Sequence, residues 1–386
     1  MLKKKIIHML KKKKYRIILC GGGTGGHIFP MISIADEIKK QNIDSKVLFV
    51  GANDRMEMSI IPKYNYKVIG LWISGIKRVS FINNIIGVGL PFLFKNILLP
   101  IKILYSIIKS IFILLKFKPD AVIGFGGYSS GPILLASNLL GYKTFIQEQN
   151  SFPGYTNRIL SKKVNFIFVA FDNMNKYIKN ENIMNLGNPI RKSIANLPKS
   201  KKEALKYFNF DNSKKTILVI GGSLGAKKIN ESILTNLNII KESSFQLIWQ
   251  TGNGYYNKIE SDNLEASNIK ILPFIDRMEL AYSIADIIIS RAGAIAISEL
   301  CIVGKPLILV PSPNVVDDHQ SKNAINILNK NACLVVKDKD AKSQLMKEVI
   351  NLLNDDIQTN EMKENLKKIS KPYATFNIVN ELFKLL

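Results

Sequence analysis

Cysteine and histidine are scarce in this chain, and acidic residues are greatly outnumbered by basic ones. The 386 residues include three cysteines, Cys20, Cys301 and Cys333, and their positions have no metal-site spacing. A sparse, odd set of cysteines excludes a disulfide scaffold and is typical of a reducing cytoplasm. Asp and Glu number 30 against 54 Lys and Arg, which leaves a net charge of +24. That charge suits nucleic acid, an anionic membrane or a phosphorylated substrate as a partner.

The sequence also lacks the features of a nucleic-acid-binding protein and of a secreted protein. The sequence has no known nucleic-acid-binding motif and no interleaving of basic with aromatic residues, so we expect no nucleic-acid partner. The basic arm of residues 1–14, "MLKKKIIHMLKKKK", lacks the long apolar core and the cleavage site of a signal peptide. It is either a solvated tail or an arm that touches anionic lipid.

The rest of the chain has an α/β pattern that starts twice. Its length and its 47% hydrophobic content predict two folded α/β domains. Runs typical of buried strands are "YRIILC", "SKVLFV", "AVIGF", "KTFIQ", "NFIFVA", "KTILVI", "FQLIWQ", "IKILPF", "ADIIIS", "KPLILV" and "ACLVV". The first and the sixth are each followed by a glycine turn and a helical pattern, which is how a βαβ unit begins. We therefore predict two Rossmann-like domains with a boundary near residues 188–200.

The first glycine turn, "CGGGTGGHIFP", combines five glycines with a histidine. Its Gly21, Gly23 and Gly26 form the G-x-G-x-x-G pattern of dinucleotide sites. Such a site also needs an acidic residue at the end of the second strand, and the first acid here is Asp54, beyond that strand. A nicotinamide or flavin enzyme is therefore the weaker interpretation.

A glycine turn at a helix N-terminus also suits anion binding and general-base catalysis. Bare backbone N–H groups can approach an anion closely, and the positive end of the helix favours negative charge there. The same field lowers the pKa of a neighbouring histidine. Because a neutral imidazole near pH 7 is a usable general base, we predict that role for His27. The alternative is that His27 only shapes the turn.

Four further stretches are candidates for the same kind of site. "GFGGYSSGP" and "QEQNSFPGYTN" each follow a predicted strand, where α/β folds bind ligands. "RAGAIAISEL" opens a helix with Glu299, whose carboxylate can accept hydrogen bonds from two sugar hydroxyls. In "DDHQSKNA", Gln320 and Asn323 are three residues apart and can share a helix face. The alternatives are ordinary tight turns and a surface glutamate.

Eight stretches occur in one order along the chain: "GGTGGHIFP", "GFGGYSSGP", "EQN", "GNPIR", "GGSLGA", "PFIDRM", "RAGAIAISEL" and "DDHQSKNA". In that order they resemble the MurG family of N-acetylglucosaminyltransferases, over most of the chain from Tyr15 on. The resemblance implies an α/β GT-B fold, with two Rossmann-like domains whose parallel sheets face a central cleft. It implies an acceptor and membrane-docking domain (15–188), a UDP-GlcNAc-binding domain (189–370) and a C-terminal helix (371–386) that returns to the first domain.

The implied activity is an inverting, metal-independent transfer of GlcNAc from UDP-GlcNAc. The acceptor would be the C4 hydroxyl of MurNAc-pentapeptide on undecaprenyl diphosphate, which converts lipid I to lipid II in peptidoglycan synthesis. The alternatives are a GT-B enzyme that makes a diacylglycerol glycolipid and a non-catalytic nucleotide-sugar-binding module. No cofactor and no metal are implied, and the nearest metal-like string, "DKD" at 338–340, is expected to be a solvated loop.

The resemblance also implies roles for single residues. His27 matches the family's proposed base, Ile275 a backbone contact to uracil, and Gln320 a contact to the donor sugar. The positions that match donor- or substrate-binding residues are Thr24, Gly25, Gly26, Asn150, Arg191, Ser223, Ile275, Ala294, Ile295, Glu299 and Gln320. Gln147 stands where the family often has histidine, which argues against an essential histidine there.

Residues 80–119 resemble a membrane span, but lysines recur every seven residues: Lys95, Lys102, Lys109 and Lys116. No uncharged run reaches the roughly 20 residues that a spanning helix needs. A helix from about Pro100 to Lys116 would carry a lysine stripe beside a broad apolar face, as interfacial helices on anionic lipid do. The alternative is that the apolar face packs on the protein core and the lysines form the solvent-exposed face of the helix.

The implied acceptor is held in a membrane. We therefore expect a peripheral protein on the cytoplasmic face of the bacterial inner membrane. Its expected partners are UDP-GlcNAc, lipid I and an anionic phospholipid surface, with cell-wall synthesis proteins as further candidates.

Overall fold

The computed structural model describes residues 14–75, 97–195, 201–222, 225–260 and 266–386. The basic arm up to residue 13, Lys95 and Ser223 lie outside the described residues. The chain divides into an N-terminal unit, Met1–Pro189 with Tyr373–Leu386, and a C-terminal unit, Ile190–Pro372. Each unit is built on its own parallel sheet, so the predicted pair of Rossmann-like α/β domains is confirmed.

The sheet of the N-terminal unit has seven parallel strands in the order β3-β2-β1-β4-β5-β6-β7. They are β1 Arg16–Cys20, β2 Lys46–Ala52, β3 Val68–Leu71, β4 Ala121–Gly124, β5 Lys143–Glu148, β6 Phe166–Val169 and β7 Ile183–Asn185. The five inner strands match predicted runs, and the two edge strands are additional. Inner strands β1, β2, β4 and β6 are mostly apolar because both faces of a parallel sheet are covered.

The covering helices of this unit come from both ends of the sequence. They are α1 Gly25–Gln41, α2 Glu57–Ile60, α3 Leu99–Phe117, α4 Ser130–Leu139, α5 Tyr155–Leu160 and α16 Ala374–Leu385, with 3₁₀ turns at Ile61–Tyr64 and Met174–Lys176. Helix α16 packs on α1, and its Ile378 and Leu382 are fully buried in the same core as Ile17. The ring of Phe383 stacks on that of Tyr15, with 4.6 Å between centroids.

Helix α1 begins earlier than the predicted helix "MISIADEIKK". Its first residue is Gly25, so the first turn includes both glycines and His27. The N–H of His27 donates to the Thr24 carbonyl at 3.1 Å and closes that turn. Pro30 therefore lies in the second turn, where it was expected near the first. The consequence is that the imidazole is carried by the helix itself and not by the loop before it.

The C-terminal unit has six parallel strands in the order β10-β9-β8-β11-β12-β13. They are β8 Thr216–Ile220, β9 Gln246–Gln250, β10 Ile269–Leu272, β11 Ile287–Ser290, β12 Leu307–Leu309 and β13 Leu334–Val335. All six match predicted runs. The helices are α6 Lys192–Ala195, α7 Lys202–Phe208, α8 Lys227–Thr235, α9 Leu237–Glu242, α10 Asn253–Glu260, α11 Met278–Ile284, α12 Ala294–Val303, α13 His319–Leu328, α14 Ala341–Leu353 and α15 Asp356–Ile369, with 3₁₀ turns at Val316–Asp318 and Asp338–Asp340.

In each sheet the strand order reverses beside one strand. That strand is β1, between β2 and β4, in the N-terminal unit and β8, between β9 and β11, in the C-terminal unit. Open α/β sheets bind ligands at the carboxyl ends of the strands at such a point. A glycine turn follows both β1 and β8, so each unit has a glycine turn at its own expected ligand edge.

Candidate functional site

Two glycine loops meet at the carboxyl edge of the N-terminal sheet. The first glycine loop (residues 21–26) follows β1, and the second (residues 124–131) follows the neighbouring strand β4. Gly127 has a φ of +77°, and a Cβ there would lie 2.8 Å from the Gly22 carbonyl oxygen. The two backbones are therefore in direct contact at this edge of the sheet.

His27 is held by the first glycine loop and faces the second. Its Nδ1 lies 2.8 Å from the Gly22 carbonyl oxygen and 3.3 Å from the Thr24 hydroxyl. Because a carbonyl oxygen only accepts, Nδ1 carries the proton and Nε2 is left as an acceptor. A Cβ on Gly126 would lie 3.1 Å from Nε2. Only glycine at that position keeps Nε2 uncrowded.

The surroundings of His27 favour the neutral ring. Desolvation lowers its pKa below the ordinary value of 6.5 and outweighs the Gly22 carbonyl and the carboxylates of Glu148 and Glu57, which act to raise it. The ring is therefore uncharged near pH 7. In this state Nε2 can take up a proton from a ligand hydroxyl.

Glu148 organises the loop that contains Asn150. Its side chain is buried and accepts from the backbone N–H and Nδ2 of Asn150, at 2.9 and 3.3 Å. It also accepts from the N–H of Gly154 at 3.0 Å and from Nδ2 of Asn157 at 2.7 Å. Four donors compensate the burial of this carboxylate. Sequence motifs single out Asn150, whereas the role of Glu148 is visible only in the fold.

Gln147 has a packing role. It is fully buried, its Nε2 donates to Asn188 Oδ1 at 3.0 Å, and its Oε1 accepts from Gln149 Nε2 at 2.6 Å. Both ends of the side-chain amide are thus engaged within the N-terminal unit. An amide suits this network because it donates at one end and accepts at the other.

Glu57, for which no sequence motif predicts a role, reaches the first glycine loop. It opens helix α2 and is fully buried. Its Oε2 accepts from the N–H of Gly23 and its Oε1 from the N–H of Ala52, both at 2.9 Å. A loop N–H that already binds a carboxylate is not available to a cofactor diphosphate, which is a second argument against a dinucleotide site here.

In the C-terminal unit, Arg191 and Glu299 form a two-pronged ion pair. Nε of Arg191 lies 3.0 Å from Oε1, and Nη2 lies 3.1 Å from Oε2. The side chain of Glu299 is 6% exposed and that of Arg191 is 48% exposed. Both carboxylate oxygens are thus engaged with the guanidinium of a side chain that is half-exposed. Two residues that were predicted from separate motifs are one structural element.

Ala294 and Ile295 form the first turn of α12, after the extended residue Gly293. The first N–H groups of an α-helix have no acceptor within the helix, and they attract anions. Helix α12 follows β11, the neighbour of β8. Its N-terminus therefore lies at the same sheet edge as the glycine turn that follows β8.

Gln320 and Asn323 both hold the turn before α12. Oε1 of Gln320 accepts from the N–H of Ala292 at 3.2 Å and of Ser312 at 2.9 Å. Nδ2 of Asn323 donates to the Ala292 carbonyl at 3.3 Å. Their shared helix face is confirmed by this common partner. Because Oε1 of Gln320 is used inside the protein, Nε2 is the end of its amide that can serve a ligand.

Ile275 is linked to the glycine turn after β8 through Gln250. The N–H of Ile275 donates to Oε1 of Gln250 at 3.1 Å, and Nε2 of Gln250 donates to the Gly222 carbonyl at 3.0 Å. Gln250 is buried at the end of β9 and has no sequence signal beyond that position. Because its N–H is engaged, the carbonyl is the backbone group of Ile275 that can bind a nucleobase.

Asp338, expected in a solvated loop, is instead an ion-pair partner of Arg291, and that expectation was wrong. Nη1 of Arg291 lies 2.5 Å from Oδ1 of Asp338 and 3.0 Å from the Val310 carbonyl oxygen. The 3₁₀ turn Asp338–Asp340 brings the carboxylate to the start of the "RAGA" turn. Within the described ranges, no group of three or more His, Cys, Asp or Glu residues could hold a metal ion.

Helix α3 exposes its apolar face. The exposed side chains include Ile101, Leu104, Ile108, Phe112 and Leu115, with Phe112 at 68%. The inward face is narrow and consists of Ser106, Ser110, Ile113 and Leu114. The alternative in which the apolar face packs on the core is therefore wrong. Among the described residues, we find no helix that combines the length and the hydropathy of a membrane span.

Two lysines of the predicted stripe bond to the N-terminal unit and do not extend into solvent. Nζ of Lys102 donates to the Ser74 hydroxyl at 3.3 Å and lies 5.4 Å from the centre of the Trp72 ring. Nζ of Lys109 donates to the Gly70 carbonyl at 2.8 Å. Their long stems reach the Gly70 backbone in β3 and the Ser74 side chain beyond it, so these lysines fix α3 to its unit.

Family models match the chain in two parts. The N-terminal domain of glycosyltransferase family 28 matches residues 17–169, and its C-terminal domain matches residues 216–375. A Flavobacterium psychrophilum protein named UDP-N-acetylglucosamine--N-acetylmuramyl-(pentapeptide) pyrophosphoryl-undecaprenol N-acetylglucosamine transferase is 43% identical over 97% of this chain and 98% of its own length. The protein of that name from Cytophaga hutchinsonii is 44% identical over 98% of this chain and 99% of its own.

Solved structures resemble the chain over a similar extent. The crystal structure of Acinetobacter baumannii MurG has a TM-score of 0.76 at 28% identity, over 96% of this chain and all of that chain. A Neisseria meningitidis UDP-GlcNAc 2-epimerase bound to UDP-GlcNAc has a TM-score of 0.63 at 17% identity, over 96% of this chain and all of its own. The second likeness shows the fold alone.

Proposed function

The chain belongs to glycosyltransferase family 28, and we propose that it carries out the transfer for which its relatives are named. It moves N-acetylglucosamine from UDP-GlcNAc to the C4 hydroxyl of MurNAc-pentapeptide on undecaprenyl diphosphate, which turns lipid I into lipid II. The relatives cover 97–98% of this chain at 43–44% identity, so the proposal concerns the whole protein and not one domain.

The base in this proposal is Nε2 of His27. It takes the proton of the acceptor hydroxyl while that oxygen forms a bond to the anomeric carbon and the bond from that carbon to UDP breaks. A single displacement of this kind inverts the anomeric centre. Support comes from the neutral ring and from the Nδ1–H···Gly22 hydrogen bond, which fixes the proton away from Nε2. Thr24, Gly25, Gly26 and Asn150 line the acceptor side in this proposal.

The donor is proposed to bind to the C-terminal unit. The first turn of α12, with Ala294 and Ile295, faces the diphosphate, and Arg191 neutralises the departing UDP. Glu299 holds that guanidinium and meets the ribose. The Ile275 carbonyl contacts uracil, and Nε2 of Gln320 donates to the sugar. Ser223 completes this set of residues from outside the described ranges.

The acceptor is lipid-linked, so the N-terminal unit must work at a membrane. We propose that the exposed apolar face of α3 inserts into the surface of the cytoplasmic leaflet, helped by anionic phospholipid and the basic arm. The support is a row of large apolar side chains left in water, which a soluble protein rarely keeps without a use. Cell-wall synthesis proteins remain proposed partners.

The observation that carries the proposal is the near-full-length similarity combined with a neutral His27 at the meeting of two glycine loops. The test gives purified protein UDP-GlcNAc and lipid I, or a short-chain analogue. The expected products are UDP and a β-1,4-linked disaccharide lipid. Transfer to diacylglycerol but not to lipid I would favour a glycolipid-forming enzyme. Binding of UDP-GlcNAc without release of UDP would indicate a non-catalytic module.

A further inference from the structure

The carboxylate of Glu57 occupies a cavity that glycine backbone builds for it. A Cβ on Gly22 would lie 2.1 Å from Oε1 of Glu57, and a Cβ on Gly51 would lie 2.5 Å from its Cγ. Both are far inside any real contact distance, so no other residue type fits at either position while Glu57 stays in place. The first glycine loop and the end of β2 are thus shaped around this one side chain.

A single peptide group connects Glu57 to His27. The peptide that joins Gly22 to Gly23 donates its N–H to Oε2 of Glu57 at 2.9 Å and accepts from Nδ1 of His27 on its carbonyl oxygen at 2.8 Å. The carboxylate and the imidazole are therefore hydrogen-bonded to opposite ends of the same amide plane. A carboxylate that binds the N–H polarises the amide and makes its carbonyl a stronger acceptor.

We propose that Glu57 is a positioning residue for the base, acting through this peptide as a carboxylate–peptide–imidazole relay. The inference rests on the proposed function for its kinetic consequence but not for its geometry. In hydrolases with a Ser-His-Asp triad, a carboxylate bonded directly to the histidine fixes the tautomer and stabilises the charged ring. Here one amide group stands between the two partners and transmits the same preference.

The proton balance of the step is simple. Nε2 of His27 gains the proton of the acceptor hydroxyl, and the ring becomes an imidazolium. Nδ1 keeps its own proton and continues to donate it to the Gly22 carbonyl. Glu57 gains and loses no proton, and its negative charge stabilises the cation across the peptide. The ring loses the added proton to solvent after the product departs.

One other carboxylate acts on this ring. Glu148 also raises the pKa of His27, and it is bonded to Asn150, Gly154 and Asn157, not to the peptide that binds Nδ1. The neutral Thr24 hydroxyl lies 3.3 Å from Nδ1. Loss of the Glu57 charge should therefore leave one carboxylate near the ring but none in contact with the Gly22–Gly23 peptide.

The test compares Glu57→Gln with Glu37→Gln. The first keeps the shape of the side chain but removes the charge and turns an amide N–H₂ toward one of the two backbone donors. The second removes a charge near the far end of α1, the helix that carries His27, where Glu37 bonds to Lys40 and Gln41. For Glu57→Gln we expect kcat to fall roughly 10- to 100-fold, as for outer partners of metal-bound histidines. The KM for UDP-GlcNAc should stay within about twofold.

The pH profile separates a relay from a merely structural role. Because the Glu57 charge raises the pKa of His27, its loss should move the acidic limb of kcat/KM to lower pH. Glu57→Asp keeps the charge and should restore that limb. Glu37→Gln should change neither kcat nor the limb. A folded Glu57→Gln protein with unchanged kcat and an unchanged limb would overturn the relay.

Nitrogen-15 NMR of the His27 ring tests the relay without any turnover. The wild-type ring should be in the Nδ1–H form, and Glu57→Gln should lower its pKa and mix in the Nε2–H form. If the protein transfers nothing to lipid I, the proposed function fails while this measurement still decides the relay. If Glu57→Gln does not fold, the wild-type ring decides it, since a His27 in the Nε2–H form contradicts the relay.

Discussion

Arg191 and Glu299 form a bidentate ion pair. Nε of Arg191 lies 3.0 Å from one carboxylate oxygen of Glu299, and Nη2 lies 3.1 Å from the other. Arg191 lies just after the start of the C-terminal unit, and Glu299 lies in α12. Bidentate geometry of this kind orients a guanidinium in one plane. The pair therefore presents Arg191 in a fixed direction, instead of leaving it as a mobile surface charge.

The pair should behave as one unit in substrate binding. Arg191→Ala and Glu299→Ala should each raise the KM for UDP-GlcNAc more than the KM for lipid I, by about tenfold or more. The double variant should be little worse than the worse single one, because residues in one network are not additive. Steady-state kinetics with both substrates varied measures this. Asp356→Ala, which breaks an exposed ion pair with Lys215 in the same unit, is the control and should change little.

Loss of the imidazole should abolish most of the turnover. His27→Ala should lower kcat by about 10²- to 10⁴-fold, the range for a general base. UDP-GlcNAc affinity, measured by calorimetry, should be nearly unchanged. The same change at His8, in the basic arm, should be silent. A well-folded His27→Ala protein with a normal rate would remove this residue from the mechanism.

Activity should be lost toward acidic pH. The base must be unprotonated, and burial holds the pKa of His27 below the ordinary 6.5. The acidic limb of kcat/KM should therefore lie below about pH 6.5, with activity retained at neutral pH and lost as the ring becomes protonated. A limb well above that pH would mean that another group with a higher pKa supplies the base.

Gln320 should determine sugar specificity through the nitrogen of its amide. Gln320→Ala should weaken discrimination between UDP-GlcNAc and its C4 epimer by about tenfold or more, because a site that hydrogen-bonds a hydroxyl rejects analogues that misplace it. Asn323→Ala loosens the same Ala292 turn without removing that donor. It should weaken binding of both sugars to the same degree. Equal specificity loss in the two variants would mean that the turn, and not Gln320, selects the sugar.

The apolar face of α3 should carry membrane binding. Leu104, Ile108 and Phe112 are all well exposed, so their joint replacement by Glu should leave the unit folded and abolish binding to phosphatidylglycerol vesicles. UDP-GlcNAc binding should persist. Ile357→Glu, at a side chain 85% exposed in the C-terminal unit, is the matched control. Unchanged vesicle sedimentation of the triple variant at low and physiological salt would contradict the docking proposal.

The inner strands of both sheets could be predicted, because parallel strands buried on two faces are apolar at nearly every position. The edge strands β3 and β7 could not. Their sequences "VIGL" and "IMN" are short and only partly buried at the sheet margin. The edge strands β10 and β13 of the other sheet were predicted because each lies within a longer apolar run, "IKILPF" or "ACLVV". The pairing of the edge with its neighbour, and not the local sequence, defines β3 and β7.

The side-chain partners in the candidate site were less predictable than its loops. Glycine turns are visible in a sequence because few other residues tolerate their geometry. Glu57 and Gln250 act through contacts with residues 34 and 28 positions away, Gly23 and Gly222, which only the fold brings together. Lys102 and Lys109 were misplaced for a related reason, since helical spacing gives the direction of a Cβ but not where a long flexible stem ends.

Helix α16 has a consequence for the order in which the protein is made. Residues 374–385 leave the ribosome only after all of Ile190–Pro372, yet their side chains Ile378, Leu382 and Phe383 belong to the core that starts at Tyr15. The C-terminal unit, whose sequence is continuous, can be finished first even though it is translated second. Until α16 packs against it, the nascent N-terminal unit carries an open apolar groove over α1 and β1, which a chaperone or the membrane surface can cover.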